Sequence, residues 1–327
     1  MLNNDLSRFC FVAAILWGIT LPSHLFADLI AITGAGRGSP SILYKVDPVT
    51  GTAWEIGDTG LIDIKAIAVH PTTGVLFAHQ NSPTTDAGNL YTLDFGRTFP
   101  ATIGTTHLGE THISTSDLTF SSDGTLYGWL EFHETENLID DLVTFSKTTG
   151  EFTLVSDSGQ PTNQTGLAFD KTGKLHLKSG GASQTDGEPR LFEVSTSLGT
   201  ATSGAAIIGG NPSNTLDFDE NNVAYTVERR FERQPDMSQL YVGTFLQTID
   251  ISSGAVSDVA MIQTPGGGGF SPPISAIAFT SFSITAVPEP ASLAWVMFAS
   301  LVILGVISHS DRFEKLALFR QSKNRPN

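Results

Sequence analysis

The sequence has almost no cysteine. Its single thiol, Cys10, lies at the start of an apolar run near the N-terminus. We expect that run to be removed as a signal peptide, and Cys10 with it. The rest of the chain then has no disulfide, no thiolate nucleophile and no cysteine-ligated metal, so its stability must come from packing.

Basic side chains are scarce in the central part of the chain. Residues 28–287 contain 12 Lys and Arg against 29 Asp and Glu. An acidic surface repels nucleic acid and anionic membranes, so we predict neither as a partner of this part of the chain. The C-terminal end has the opposite balance, because residues 308–327 contain five basic and two acidic side chains.

Several catalytic motifs are missing. There is no Gly-x-Ser-x-Gly sequence, and the glycine run Gly266–Gly269 lacks the lysine and the helix of a phosphate-binding loop. These absences weaken an enzyme interpretation. They do not end it, because a catalytic triad is defined by geometry rather than by spacing.

The N-terminal end reads as a targeting segment. Arg8 precedes an apolar run over residues 9–21, and Ala27 is a small residue at a suitable cleavage point. We predict a signal peptide over residues 1–27 with cleavage after Ala27. An uncleaved membrane anchor is the alternative.

The C-terminal end reads as a sorting signal. Pro288, Glu289 and Pro290 precede an apolar run and then the basic tail. This arrangement resembles the PEP-CTERM signal, which implies processing by an exosortase-type enzyme and export through the inner membrane to the envelope, outer surface or matrix of a Gram-negative-type bacterium. It divides the end of the chain into a linker at 283–290, a transmembrane helix at 291–308 and a basic cytoplasmic tail at 309–327.

Between the two ends, one short pattern recurs in a sequence that alternates apolar and polar residues. Alternation with period two is typical of β-strands. The copies lie 51, 49, 49 and 61 residues apart, close to the roughly 40–50 residues of a propeller blade. They are Ala66 to Val69, Asp117 to Phe120, Gly166 to Phe169, Thr215 to Phe218 and Ala276 to Phe279.

The repeats predict an all-β domain over residues 28–282. A tight turn and a second strand follow each of the first four copies, and the turns place Gly, or Asn222 in the fourth, where φ must be positive. The fifth copy lacks its hairpin, whereas Leu29 to Thr33 is a second strand without a first. Pairing these two segments completes a five-bladed β-propeller of four-stranded blades. Six blades, with one hidden in 227–248, is the alternative.

The pattern Leu-Tyr-x-x-Asp-x-x-Thr-Gly at Leu43 to Gly51 recurs in the third-strand segments. It resembles the repeat of bacterial propeller domains of unassigned function that occur with this C-terminal signal. The resemblance covers most of residues 28–280 and concerns architecture, because propellers host unrelated activities.

One face of the predicted ring carries long, dissimilar loops, and we expect any ligand there. On this face, His107, Glu110 and His112 precede the first strand of one blade, and Glu131, His133 and Glu134 follow its second strand. Imidazole and carboxylate together suit a divalent metal, although the spacing matches no zinc motif. We therefore keep a divalent cation as an optional cofactor, with candidate ligands His107, Glu110, His112 and His133.

The same face offers candidate ligand contacts. Arg229, Arg230 and Arg233 lie in the segment 228–245, which we predict to be the longest loop, and guanidinium groups bind carboxylates of acidic polysaccharides. Pairing with Glu228 and Glu232 is the alternative use of these arginines. Trp129 is a further candidate, although the preceding turn departs from the aspartate box of sialidase propellers.

Two functions follow from these patterns. The first is a non-catalytic, surface-sorted propeller that binds extracellular polysaccharide or matrix proteins, and the sorting signal is its main support. The second is a secreted propeller enzyme, a hydrolase or lyase acting on a polysaccharide or a small ester. Replacement of the candidate loop residues distinguishes them, because an enzyme loses turnover and a scaffold does not.

Overall fold

A computed structural model of the 327-residue chain describes residues 27–34, 40–81, 88–96, 98–132, 140–158, 160, 162, 165–180, 189–210, 215–265 and 270–286. The predicted transmembrane helix, sorting motif, cytoplasmic tail and nearly all of the signal peptide lie outside these residues. Within the described part, no helix has the length and apolarity needed to cross a membrane. The strands are β1 (Leu29–Thr33), β2 (Pro40–Val46), β3 (Ala53–Ile62), β4 (Ile64–Val69), β5 (Leu76–Gln80), β6 (Asn89–Asp94), β7 (Thr98–Phe99), β8 (Gly104–Glu110), β9 (Ser114–Phe120), β10 (Leu126–Phe132), β11 (Asp141–Phe145), β12 (Phe152–Ser156), β13 (Gly166–Phe169), β14 (Leu175–Ser179), β15 (Arg190–Val194), β16 (Ala201–Ala206), β17 (Asp217–Phe218), β18 (Ala224–Arg233), β19 (Gln239–Ile249), β20 (Val256–Met261), β21 (Ile274–Phe279) and β22 (Thr285–Ala286).

Twenty of these strands form five four-stranded sheets arranged as a ring, which confirms the predicted five-bladed propeller. Blade I has the order β21-β1-β2-β3, blade II β4-β5-β6-β8, blade III β9 to β12, blade IV β13 to β16 and blade V β17 to β20. The remaining strands, β7 and β22, make a separate two-stranded sheet. The inner strands are β21, β4, β9, β13 and β17, and each contacts the next around the central channel.

The ring closes where the two ends of the domain pair. Strand β1 runs antiparallel to β21, with Leu29 opposite Phe279 and Ile32 opposite Ala276. This is the pairing that the incomplete first and last repeats predict. The pairing covers the edge of β1 and completes blade I as a four-stranded sheet.

The repeated motif forms the inner strand of every blade, and the turn after it has the predicted chemistry. In blades II to V the turn residues with positive φ are Gly74 at 68°, Gly124 at 82°, Gly173 at 84° and Asn222 at 65°. Glycine and asparagine tolerate this left-handed conformation better than other residues do. The sequence thus fixes these hairpins through a local backbone requirement.

The core lies in layers between neighbouring sheets. Between blades I and II, Ile32 packs in the same buried cluster as Ile67 and Leu76. Between blades III and IV, Trp129 shares a buried cluster with Leu177. The side chains on one face of each inner strand therefore pack against the preceding blade, and those on the other face pack against the next blade.

The predicted loop over residues 228–245 is wrong. This segment continues strands β18 and β19 as a long hairpin, with Glu228 opposite Phe245 and Arg233 opposite Gln239. The Arg230 side chain supports the extension, because its guanidinium group lies over the Phe245 ring of the adjacent strand β19 and binds the Asp258 carboxylate of β20 with two hydrogen bonds. No sixth blade forms in this described segment.

Candidate functional site

The inner strands give the two faces of the ring different chemistry. Each inner strand begins at the face carrying the irregular loops, here the loop face, and ends at the tight turns, here the hairpin face. Segments 35–39, 82–87, 133–139 and 181–188 of the loop face lie outside the described residues. The described strand ends at this face include the polar residues Gln80, Ser114 and Ser179.

Strand β9 of blade III provides most of this polarity. Its first four residues are Ser114, Thr115, Ser116 and Asp117. Of these, Thr115, Ser116 and Asp117 are almost fully buried. Burial of polar side chains is costly without partners. The Ser116 hydroxyl meets the Thr165 hydroxyl of blade IV, and it donates to the Trp129 carbonyl at 3.4 Å.

A polar cluster around one carboxylate lies where blades II and III meet at the loop face. We call Lys65, Asn81, Ser114 and Glu131 the Glu131 cluster. The Ser114 hydroxyl donates to Glu131 Oε2 at 3.2 Å, and Asn81 Nδ2 donates to Ser114 Oγ at 2.7 Å. In return, the Thr115 N–H donates to Asn81 Oδ1 at 3.3 Å. These bonds fix the direction in which the carboxylate points.

The surroundings of Glu131 favour proton transfer. Burial raises the pKa of the Glu131 carboxyl, while the Lys65 charge and the Ser114 hydrogen bond oppose the shift and Asp140 adds to it. A carboxylate whose pKa moves toward neutral pH is suited to act as a general base or acid. Lys65 supplies a nearby positive charge that is capable of stabilising an oxyanion.

Asp117 holds the inner strands together at the axis. Its Oδ2 accepts from the Leu167 N–H at 2.9 Å and from the Leu216 N–H at 3.3 Å, so one carboxylate joins blades III, IV and V. Burial raises the pKa of Asp117, and these hydrogen bonds oppose that shift.

Lys178 on β14 is fully buried next to the axis. Burial lowers the pKa of its ammonium group to about 7, and the negative charge of Asp117 opposes this shift. A buried lysine of this kind is a common feature of functional sites.

At the hairpin face, four of the five inner strands end in an aromatic residue. The last residues of the inner strands are Val69, Phe120, Phe169, Phe218 and Phe279. The phenylalanine rings pack against aromatic side chains of the hairpins, for example Phe169 against Tyr127 with centroids 5.5 Å apart. Asp217 is the titratable side chain nearest to these rings in the inner strands, because it immediately precedes Phe218.

The candidate metal ligands are only partly described. His107 lies on β8 rather than in a loop, and its Nε2 is 3.0 Å from Asn89 Oδ1. Glu110 Oε2 and His112 Nε2 are 3.7 Å apart and both side chains are exposed. No group of three metal-ligating side chains converges among the described residues, and His133 lies outside them, so this site stays a prediction.

The other ligand candidates have structural contacts. Trp129 is fully buried, and its indole N–H donates to the Thr162 hydroxyl at 2.9 Å, so it is a core residue. Arg230 pairs with Glu228 at 2.7 Å and also binds Asp258, as the self-pairing alternative predicts. Arg229 and Arg233 lie on the extended hairpin strand β18.

A groove of about 590 Å³ lies on the hairpin face where blades I and V meet. Trp54 and Tyr225 line it, together with the carboxylates of Asp47, Asp219 and Glu220. Aromatic faces with nearby carboxylates are suited to sugar rings, which present both apolar and hydroxyl-bearing surfaces. The sequence did not single out this groove, because its residues come from distant repeats.

The fold is similar to that of several proteins of known structure. A chain in the crystal structure of a nidogen/laminin complex is 12% identical with a TM-score of 0.49, and the match covers 78% of this chain and 98% of that one. The Pseudomonas aeruginosa periplasmic gluconolactonase PpgL is 12% identical with a TM-score of 0.39, covering 68% and 76%. A putative 6-phosphogluconolactonase from Bacteroides fragilis is 11% identical with a TM-score of 0.41, covering 79% and 99%.

At these identities the likeness concerns the fold alone. The body is a β-propeller that resembles gluconolactonase-like and 6-phosphogluconolactonase-like propellers. The chain matches no protein-family model and no curated protein.

Proposed function

We propose that this chain is an exported propeller hydrolase that acts on a small ester or a polysaccharide at the loop-face end of its channel. The Glu131 cluster is the observation that carries the proposal. It combines a carboxylate of raised pKa, two side chains that orient it and a nearby ammonium group. This is the set of groups that water-dependent cleavage of an ester requires.

In the proposed reaction on an ester bond, Glu131 accepts a proton from water as the water oxygen forms a bond to the substrate carbonyl carbon. The carbonyl oxygen becomes negative, and the Lys65 ammonium group stabilises it. The bond to the leaving alkoxide then breaks, and the alkoxide takes the proton from Glu131. Ser114 and Asn81 keep the carboxylate in position throughout.

Replacement of the base tests this proposal. Glu131→Gln keeps the hydrogen-bond acceptor but removes the proton acceptor, so we expect a loss in kcat of about 100-fold or more with an unchanged fold. Turnover of a panel of lactones, aryl esters and extracellular polysaccharides is the measurement. Glu55→Gln, on the exposed outer strand β3, is the matched control and should keep full activity.

A non-catalytic binding role is the second candidate, and the hairpin-face groove favours it. Trp54 and Tyr225 in that groove are suited to stack against sugar rings. Glycan binding that persists in Glu131→Gln but is lost in Trp54→Ala, without turnover in either protein, would assign the binding role. Turnover that is equal in wild type and Glu131→Gln would contradict the hydrolase mechanism.

The proposed location is the bacterial envelope or extracellular matrix, and the proposed processing partner is an exosortase-type enzyme. The support is the Pro-Glu-Pro element at 288–290, with its apolar run and basic tail. Replacement of Pro288, Glu289 and Pro290 by alanine should leave unprocessed protein in the inner membrane. Immunoblots of membrane and released fractions measure this, and normal release of the variant would contradict the sorting role.

A further inference from the structure

The inner strands direct toward the channel those backbone groups that do not bond to the neighbouring strand of the same blade. In an antiparallel pair, only alternate residues bond to the partner strand. The His70 N–H donates to the Val75 carbonyl at 2.9 Å, so the N–H and C=O of Val69 point away from the hairpin and toward the axis. Equivalent bonds follow the other inner strands, from Ser121, Asp170, Asp219 and Thr280.

These groups form two levels along the axis, and each level has one carboxylate. At the upper level, Asp117 accepts backbone N–H bonds as described above. At the lower level, Asp217 Oδ1 accepts from the Phe218 N–H at 2.8 Å and Oδ2 from the Phe279 N–H at 2.6 Å. The negative charge of Asp217 also raises the pKa of the Asp117 carboxyl, so the two carboxylates repel each other.

The lower level encloses a cavity of about 110 Å³. Asp217 lines it together with the last residues of all five inner strands. The backbone carbonyls that face the axis at this level are neutral oxygen ligands, and the Asp217 carboxylate is the nearby negative charge. A cavity of this composition favours a cation.

The charge balance differs between the two levels. Lys178 is close enough for Asp117 to influence its ammonium group. No basic side chain in the described residues forms an ion pair with Asp217. Asp217 is partly buried. A partly buried carboxylate without a cationic partner loses some of its hydration, and a bound cation offsets this cost.

We propose that the cavity at the hairpin-face end of the channel binds a monovalent metal cation, K⁺ or Na⁺, between Asp217 and the carbonyl groups of the inner strands. One carboxylate with neutral carbonyls balances a single positive charge. Divalent Ca²⁺ and Mg²⁺ sites in proteins usually contain more carboxylates, or keep several waters around the ion. The cation would tie five blades together at one point of the axis, which goes beyond the proposed hydrolase activity.

Thermal unfolding of the purified protein in KCl, NaCl and choline chloride, at equal concentration and at a pH above 7 where the Asp217 carboxylate is charged, tests the site. Choline is too large for the coordination and serves as the inert cation. We expect the Tm to be higher by about 2–4 °C or more in KCl or NaCl. Asp217→Asn should lose this difference. Asp219→Asn is the matched control, because Asp219 lies two residues further along the chain and its side chain accepts hydrogen bonds from the N–H groups of the hairpin turn. This control should retain the difference.

Crystals soaked in RbCl give a direct measurement that does not depend on the variants. An anomalous peak in the cavity beside Asp217 supports the proposal. The absence of this peak, together with equal Tm values in KCl and choline chloride, overturns it. A peak that appears with calcium and not with rubidium also overturns the monovalent assignment.

Discussion

At the scale of single residues, the ionisable side chains inside the ring carry most of the information about function. Asp117 and Asp217 occupy different places in the repeated motif, where other copies have small or neutral residues. Lys178 is a charged residue in the fully buried strand Leu175 to Ser179. Each departure is visible in the sequence as a break in a repeat, but only the structure shows that the three side chains meet at one axis.

His79 provides a test of burial at this scale. The ring is fully buried, and its Nε2 lies 2.9 Å from the Thr111 hydroxyl. Burial lowers the pKa of His79 from 6.5 to about 4. The unfolded chain therefore binds a proton that the folded chain does not bind between these two pH values, and stability falls as the pH falls through this window.

We expect His79 to account for a loss of about 3 kcal/mol in the free energy of unfolding between pH 6.5 and 4. Burial raises the pKa of Asp217 to about 7, which acts in the opposite direction, because the folded chain then gains a proton more readily. The measurement is therefore the difference between wild type and His79→Gln in urea unfolding at each pH. Glutamine does not titrate, so the variant should show a shallower acid loss, and parallel pH curves would contradict the assignment.

At the scale of strands and loops, the sequence predicts what local chemistry determines. The inner strands and their turns are correct because alternation and positive-φ residues are local signals, as at Gly124 and Asn222. The segment 228–245 was predicted as a loop because its charges obscure the alternation. In the structure Arg230 pairs with Glu228 of its own strand, and it also contacts the Phe245 ring of β19 and Asp258 of β20, which are contacts that local sequence does not reveal.

The sequence likewise predicts only part of the candidate site. Glu131 was predicted to lie on the ligand face, and it does lie at the loop-face end of β10. Its partners Ser114 and Asn81 come from another strand and another blade, 17 and 50 residues away in sequence. The expected neighbour His107 lies instead on the outer strand β8, because the register of that strand with β6 places it opposite Tyr91.

At the scale of the whole molecule, closure of the ring depends on one strand pair from the two ends of the domain. Asp28 strengthens this junction, because its carboxylate pairs with Lys45 at 2.9 Å and accepts the Ile284 N–H. The Thr280 N–H donates to the Asp28 carbonyl at 2.9 Å. The first residue after the predicted signal cleavage point is thus part of the closure.

Truncation at this junction tests whether the five blades unfold as one unit. A chain ending at Ala286 keeps β21 and should unfold in one cooperative transition. A chain ending at Pro273 lacks β21, so it exposes the edge of β1 and the buried face of Ile67. Because exposed edges pair with other chains, we expect this shorter chain to aggregate or remain unfolded. Circular dichroism melts and size-exclusion chromatography measure both chains, and a monomeric shorter chain with a sharp melting transition would show that the blades are stable without closure.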